Sequence, residues 1–142
     1  MRIVIPFFAF LIPGLFANFS FAANSNPLMR TCRLEQGLFW IVYAPHQELP
    51  LCFFGEAAIG AEALHGYKHG GGAVLAVEAY KKSTGATCEQ VGAVTVVGQD
   101  SKKATFTVCQ FSDGTLIEKN TLLRGPGSVV NQDLNRSLNH AF

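Results

Sequence analysis

The chain has 142 residues, of which 11 are lysine or arginine and 10 aspartate or glutamate; 49% are hydrophobic and 15% charged. That near-neutral balance argues against nucleic acid or anionic membrane as an electrostatic partner, since both demand a basic face. The length is that of one ordinary domain, since two units of half the size would each struggle to bury a sufficient core.

Met1-Arg2 is a short positive opening and Ile3 to Phe16 an apolar stretch broken by Pro6 and Pro13-Gly14. Ser20-Phe21-Ala22 then supplies the small residues that a signal peptidase reads. Residues 1–22 are expected to be a signal peptide cut after Ala22, because the run is too short and interrupted for the ~20 apolar residues of a membrane span. No cysteine follows the cut, and Met29-Arg30-Thr31 before Cys32 is a poor context for a lipid anchor. Loss of Arg2 leaves 10 basic and 10 acidic side chains on residues 23–142, the expected periplasmic or secreted protein.

Residues 23–66 read as a first unit: Cys32, a glycine five residues on, an apolar run, a polar turn, a second apolar run carrying Cys52, and a helical segment ending in Leu64-His65-Gly66. The strands are Leu38–Tyr43 and Leu49–Phe54, divided by a turn over Ala44–Glu48 that contains Pro45. Gly55–Leu64 has helical character, with Gly66 as its stop. Residues 67–80 form a joint. Gly66 to Gly72 is glycine-rich and flexible by composition, and Ala73–Ser83 reads equally as helix or edge strand.

Residues 81–125 repeat the order of parts. Cys88 is followed by strands at Ala93–Val97 and Ala104–Gln110 around Gly98–Lys103, with Cys109 in the second strand. Phe106 and Val108 share one face while Thr105 and Thr107 take the other. Thr115–Leu123 is the matching helical segment, opened by a capping box of Thr115 and Glu118 after the Asp113-Gly114 turn and closed by Arg124-Gly125. In the tail, 126–142, the residues Val130, Leu134, Leu138 and Phe142 recur every four positions, which predicts a short amphipathic helix over Asn131–Phe142.

The reading is an α+β protein of two tandem β-hairpin-plus-helix repeats forming one small antiparallel-sheet domain stapled by disulfides. Four strands would make an antiparallel sheet with one solvated side or with helices laid over it. The cysteines lie 20 residues apart in the first copy and 21 in the second. Four cysteines in an exported chain allow three pairings, and duplication of a self-contained unit favours Cys32–Cys52 and Cys88–Cys109. Each bridge is expected to contribute roughly 3 kcal/mol through its loop of about 20 residues. A zinc site from the same thiolates lacks the close Cys-x-x-Cys pair that such sites use.

Few residues point to chemistry. The chain contains no Gly-x-Ser-x-Gly elbow, no His-Glu-x-x-His and no phosphate loop, so no catalytic residue, metal or cofactor is expected. His65 and His69 are four apart, but the glycines around them argue for a solvated loop. His46 lies in a turn and His140 near a chain end. Asp113 reads as a turn residue, and Arg124 with Glu118 as an exposed ion pair or cap. The aromatic cluster Phe39, Trp40, Tyr43, Phe53 and Phe54 is strand core, yet alternation must expose part of it. Outward-facing Trp40 or Phe53 would form a protein- or glycan-binding patch. The candidate binding surface is Trp40, Tyr43, Phe53, Asp113 and Arg124. A pocket gathering His46, Glu48 and Asp113 would instead point to an enzyme.

Asn26-Pro27 with Cys32 and Gln36-Gly37, then Cys109-x-Phe111-x-Asp113-Gly114, Glu118 and Arg124-Gly125, resemble a small bacterial exported domain family of unknown function labelled haemolysin-like. The likeness spans most of Asn26 to Gly125. Ile117 and Pro126 or Gly127 stand where that family carries further cysteines, Asn120 where it has tryptophan, Gly55-Glu56-Ala57 where Asp-Gly is expected, and His65 where it has arginine. The resemblance implies an exported, disulfide-bonded module and no mechanism. The functional expectation is a non-enzymatic, inhibitor-like or protein-binding module of the bacterial envelope or exterior. The alternative is a membrane-active, haemolysin-like toxin or host-interaction factor.

Overall fold

Short apolar, β-rich runs split by polar turns organise the fold into strands. A computed structural model describes residues 26–70 and 72–140, so the expected signal peptide and the end of the tail lie outside the described residues. Strands β1 (Leu38–Ala44) and β2 (Gln47–Phe54) pair antiparallel from Leu38↔Phe53 to Ala44↔Gln47, turning at Pro45-His46. Strand β3 (Ala57–Gly60) returns along β2. Strands β4 (Val94–Gln99), β5 (Thr105–Gln110) and β6 (Leu116–Glu118) form a second antiparallel meander.

The two meanders close into a six-stranded barrel in the order β1-β2-β3-β6-β5-β4. Closure is made by two single-residue bridges, Tyr43↔Gln99 between β1 and β4 and Ile59↔Ile117 between β3 and β6. Backbone crowding explains a glycine at each seam. A Cβ at Gly98 would stand 3.0 Å from the Tyr43 carbonyl oxygen, and one at Gly60 3.0 Å from the Leu116 carbonyl oxygen.

The pleat separates two cores. Inside the barrel, Val42, Leu49, Leu51, Val108 and Leu116 pack with Trp40, Phe53, Val96 and Phe106. The outer face, including Cys52, Phe54, Ile59, Cys109 and Ile117, is covered by helices. These are α1 (Pro27–Leu34), α2 (Ala61–Lys68), α3 (Leu75–Lys82), α4 (Lys119–Arg124) and α5 (Gln132–Asn139). They contribute Leu64, Ala76, Val77, Tyr80, Leu122, Leu134 and Leu138 to this outer core. An α+β architecture with an antiparallel sheet is therefore present.

Both expected disulfides are formed, Cys32–Cys52 and Cys88–Cys109, as befits a chain matured in an oxidising compartment. Each joins the segment entering a meander to that meander's middle strand. The Cys32 carbonyl accepts from Gly37 N–H at 2.8 Å and the Cys88 carbonyl from Ala93 N–H at 2.9 Å. Residues preceding those donors are left-handed in both places, Gln36 at φ 65° and Gly92 at φ 77°.

Several expectations are corrected. The sheet has six strands in a closed barrel, where four strands were expected. After each hairpin the chain continues as a third strand, since Ala57–Gly60 and Leu116–Glu118 are buried on both faces and pair with the preceding strand. The helical segments consequently start later, at Ala61 and Lys119. Thr115 and Glu118 form no capping box. Glu118 is itself the N-cap of α4, accepting from the Asn120 and Thr121 N–H groups. The glycine-rich joint begins late, because α2 runs through Gly66 to Lys68 and ends before the left-handed Gly70. The ambiguous stretch after the joint is helix α3. The tail forms α5 with Leu134 and Leu138 buried, as its periodicity predicts. Helix α1 was missed, although Pro27 at its first turn and the Asn26 side chain accepting from Leu28 N–H are ordinary start signals.

Candidate functional site

The barrel's two ends differ. At one, the side-chain amides of Gln47 and Gln110 bond reciprocally at 3.1 and 3.3 Å across the rim. At the other, Trp40, Phe53 and Phe106 stand around an opening of about 250 Å³, bounded also by Leu38, Asp100 and Lys102. These aromatics belong to the inward-facing set, but they sit at the strand ends, where further strand pairs no longer cover them. All three are only half-buried.

Phe53 and Phe106 meet edge to face, with centroids 5.5 Å apart and planes at 70°, a favourable arrangement of ring quadrupoles. The β4–β5 loop beside them is held by Asp100. Its N–H donates to the Ala104 carbonyl at 3.0 Å, and its Oδ1 accepts from the N–H groups of Lys102 and Ala104.

Beyond the Phe53–Phe106 pair lies a second concavity, about 750 Å³, walled by β5 and the start of α4. Its far wall is rigid. Glu118 spends its carboxylate on Asn120 N–H, Thr121 N–H and the Thr121 hydroxyl at 2.7–2.9 Å. Arg124 Nη2 donates to the Glu56 carbonyl at 3.0 Å and Nε to Asn131 Oδ1 at 3.4 Å, tying the β2–β3 turn to α4. Asn131, fully buried, in turn donates to the Thr121 and Gly125 carbonyls.

Of the expected surface residues, Trp40 and Phe53 line the opening, and Phe53 and Arg124 line the second concavity. Tyr43 does not join them. It is 52% exposed on the outer face at the β1–β4 seam. Asp113 also lies elsewhere, and its role is structural: Oδ2 accepts from Leu75 N–H at 3.0 Å while the Thr115 hydroxyl accepts from Ala76 N–H at 3.1 Å, capping α3 from the β5–β6 turn. Burial opposes its ionisation, but hydrogen bonds from Thr115 and the Leu75 N–H outweigh it and hold the carboxyl below its ordinary pKa. Arg124 pairs with backbone and amide groups, and among the described residues its expected partner Glu118 serves as a helix cap instead. Phe106 was missed as a site residue. Alternation put it on the buried face, and only barrel closure reveals that it sits at the rim.

Of the histidines expected in a solvated loop, His65 lies on helix α2 and His69 is its C-cap. His65 Nδ1 and His69 Nε2 approach the buried Thr31 hydroxyl at 2.8 and 3.2 Å, and their rings are 4.3 Å apart. Nearby, Lys68 and Glu35 form a 3.3 Å ion pair whose side chains are 3% and 5% exposed, with Ser137 donating to the same carboxylate. This cluster joins α1, α2 and α5. Among the described residues, none of four surface cavities gathers His46, Glu48 and Asp113. Among the described residues no group of three or more His, Cys, Asp or Glu is arranged to hold a metal ion, and no helix is long and apolar enough to cross a membrane.

The open end therefore offers ring faces for an apolar or aromatic group and polar atoms at its rim, a binding arrangement of the kind found in barrel mouths. Comparisons with protein-family models, curated proteins and solved structures found no match.

Proposed function

We propose that this chain is a non-enzymatic, exported binding module that holds a partner protein of the bacterial envelope or exterior at the open end of its barrel. The observation that carries this reading is the gathering of Trp40, Phe53 and Phe106 at one open mouth while the amides of Gln47 and Gln110 bond across the other end. Two disulfides support a rigid, exported scaffold, and the resemblance to exported haemolysin-labelled domains agrees with it. The matching cysteine-to-strand geometry of the two meanders supports origin by tandem duplication.

The membrane-active alternative depends on the apolar face of Asn131–Phe142. Leu134 and Leu138 are packed into the outer core, so that face is spent on folding. Purified protein that releases dye from liposomes at micromolar concentration would revive this alternative.

Crosslinked affinity capture from native envelope and medium tests the proposal, using oxidised protein beside a Phe53→Ala, Phe106→Ala variant that retains both disulfides. A partner captured by the first and lost by the second supports mouth-directed binding. A partner captured equally by both removes the mouth from the account.

A further inference from the structure

The second concavity carries a more specific chemistry, because a strand edge opens into it. β5 pairs with β4 from Thr105 to Gln110, but with β6 only from Val108 to Gln110. Over Thr105–Thr107 the barrel wall is therefore one-sided.

Two hydrogen bonds outside the strands fix which backbone groups face the gap. Asp100 N–H donates to the Ala104 carbonyl, and Phe111 N–H to the Thr115 carbonyl. In an antiparallel ladder, bonded pairs alternate with non-bonded ones. The first bond directs the backbone of Ala104, Phe106 and Val108 toward β4, and the second directs that of Cys109 and Phe111 toward β6. Thr105 and Thr107 share the latter direction, where β6 has already ended. The N–H groups of Thr105 and Thr107 and the carbonyl of Thr105 thus point at the cleft, and among the described residues no side-chain or turn hydrogen bond reaches them.

We infer that this cleft receives an extended peptide segment of a partner protein, which adds as a strand along Thr105–Thr107 and places an apolar or aromatic side chain beside Phe53 and Phe106. The inference rests on the barrel end being a binding site and deepens that reading by naming the ligand's backbone. An extended chain is the ligand whose own N–H and C=O groups match an open strand edge at the required spacing, with pockets beside it choosing alternate side chains. The facing wall carries Lys119 and Arg124 beside Glu56 and Glu118, two charges of each sign, so the apolar anchor and not net charge selects the segment.

Selection of randomised displayed heptapeptides on immobilised, oxidised protein tests the inference, with Phe106→Ala protein as counter-selection. Enriched peptides should share an apolar or aromatic residue at one position. On binding, amide exchange at Thr105 and Thr107 should slow about tenfold or more, while Phe106 and Val108, already bonded to β4, change little. N-methylation of the peptide residue facing Thr105 should weaken binding about tenfold, since it removes one hydrogen bond and strands a carbonyl.

Failure to enrich any peptide, or equal binding of the N-methylated form, overturns the inference. A glycan or other ligand that shifts Trp40 emission without slowing exchange at Thr105 and Thr107 overturns it too, while leaving the mouth as a binding site. A peptide that protects the two amides without altering Trp40 upholds the edge and separates it from the aromatic opening.

Discussion

Ile59 and Ile117 face each other across the single bridge that joins β3 to β6, and each is paired on its other side with a half-cystine, Cys52 and Cys109 respectively. Both isoleucines are fully buried. The barrel is thus closed at the point where both disulfides are anchored, and closure, outer core and covalent staples share one small region. Truncating either isoleucine to alanine should cost about 2–5 kcal/mol. The double variant should depart from the sum of the singles because the residues touch. Urea unfolding of the oxidised protein measures both values, and strict additivity would contradict the proposed coupling.

Gly37 lies against the first disulfide. A Cβ there would stand 2.3 Å from Cys52 Sγ and 3.0 Å from Cys32 Sγ, and both sulfurs are buried. Gly37→Ala should therefore destabilise by about 1–3 kcal/mol through overpacking and make Cys32–Cys52 the more easily reduced bridge. Thiol labelling during graded reduction reads this directly. Unchanged labelling and stability would show that the turn relaxes freely.

Asp113 caps a helix 38 residues away in sequence. Asp113→Ala should cost about 0.5–2 kcal/mol, the usual range for losing a side-chain cap. The depressed carboxyl pKa also contributes stability that is present above its ordinary value of 3.8 and lost as pH falls through the lower folded value. In acid the wild type and the variant should converge; a difference that persists below pH 2 would assign the effect to packing instead.

His65 behaves in the corresponding way for a base. Burial first, and then the charge of His69, hold its pKa below the ordinary 6.5. Between the folded and unfolded values the unfolded chain binds more protons, so stability falls as pH drops through 6.5 and the loss is complete below the folded pKa. Thr31 from α1 and His69 are the groups facing it. His65→Gln should flatten this part of the profile. Denaturation midpoints between pH 7.5 and 5 provide the check, and parallel curves would contradict it.

What could be read from the sequence follows from the range of each signal. Disulfide pairing was legible because the matched cysteine intervals made each bridge local. The tail helix was legible from a four-residue period that buries Leu134 and Leu138. β3 was hidden because Ala57-Ala58-Ile59-Gly60 is short and alanine-rich, which reads locally as helix, and only pairing with β2 makes it a strand. Gly66 read as the stop of α2, yet its cost of about 1 kcal/mol inside a helix is overridden by packing of that helix on its neighbours. Trp40 and Phe53 were legible as aromatic strand residues. That they share a rim with Phe106 depends on barrel closure, and the open edge at Thr105–Thr107 depends on where β6 stops. The long-range cap from Asp113 to α3 leaves no local trace.

Trp40 is the chain's one tryptophan, so its emission is a direct reporter on the mouth. The decisive measurement is a titration of the captured partner into the wild type and into Phe106→Ala, following Trp40 fluorescence with the fold verified by intact disulfides. The account predicts a saturable change in the wild type and binding at least about tenfold weaker in the variant, as expected for an aromatic anchor at an interface. Equal affinity for both proteins with Trp40 emission unchanged would place the partner elsewhere on the molecule and contradict the central claim.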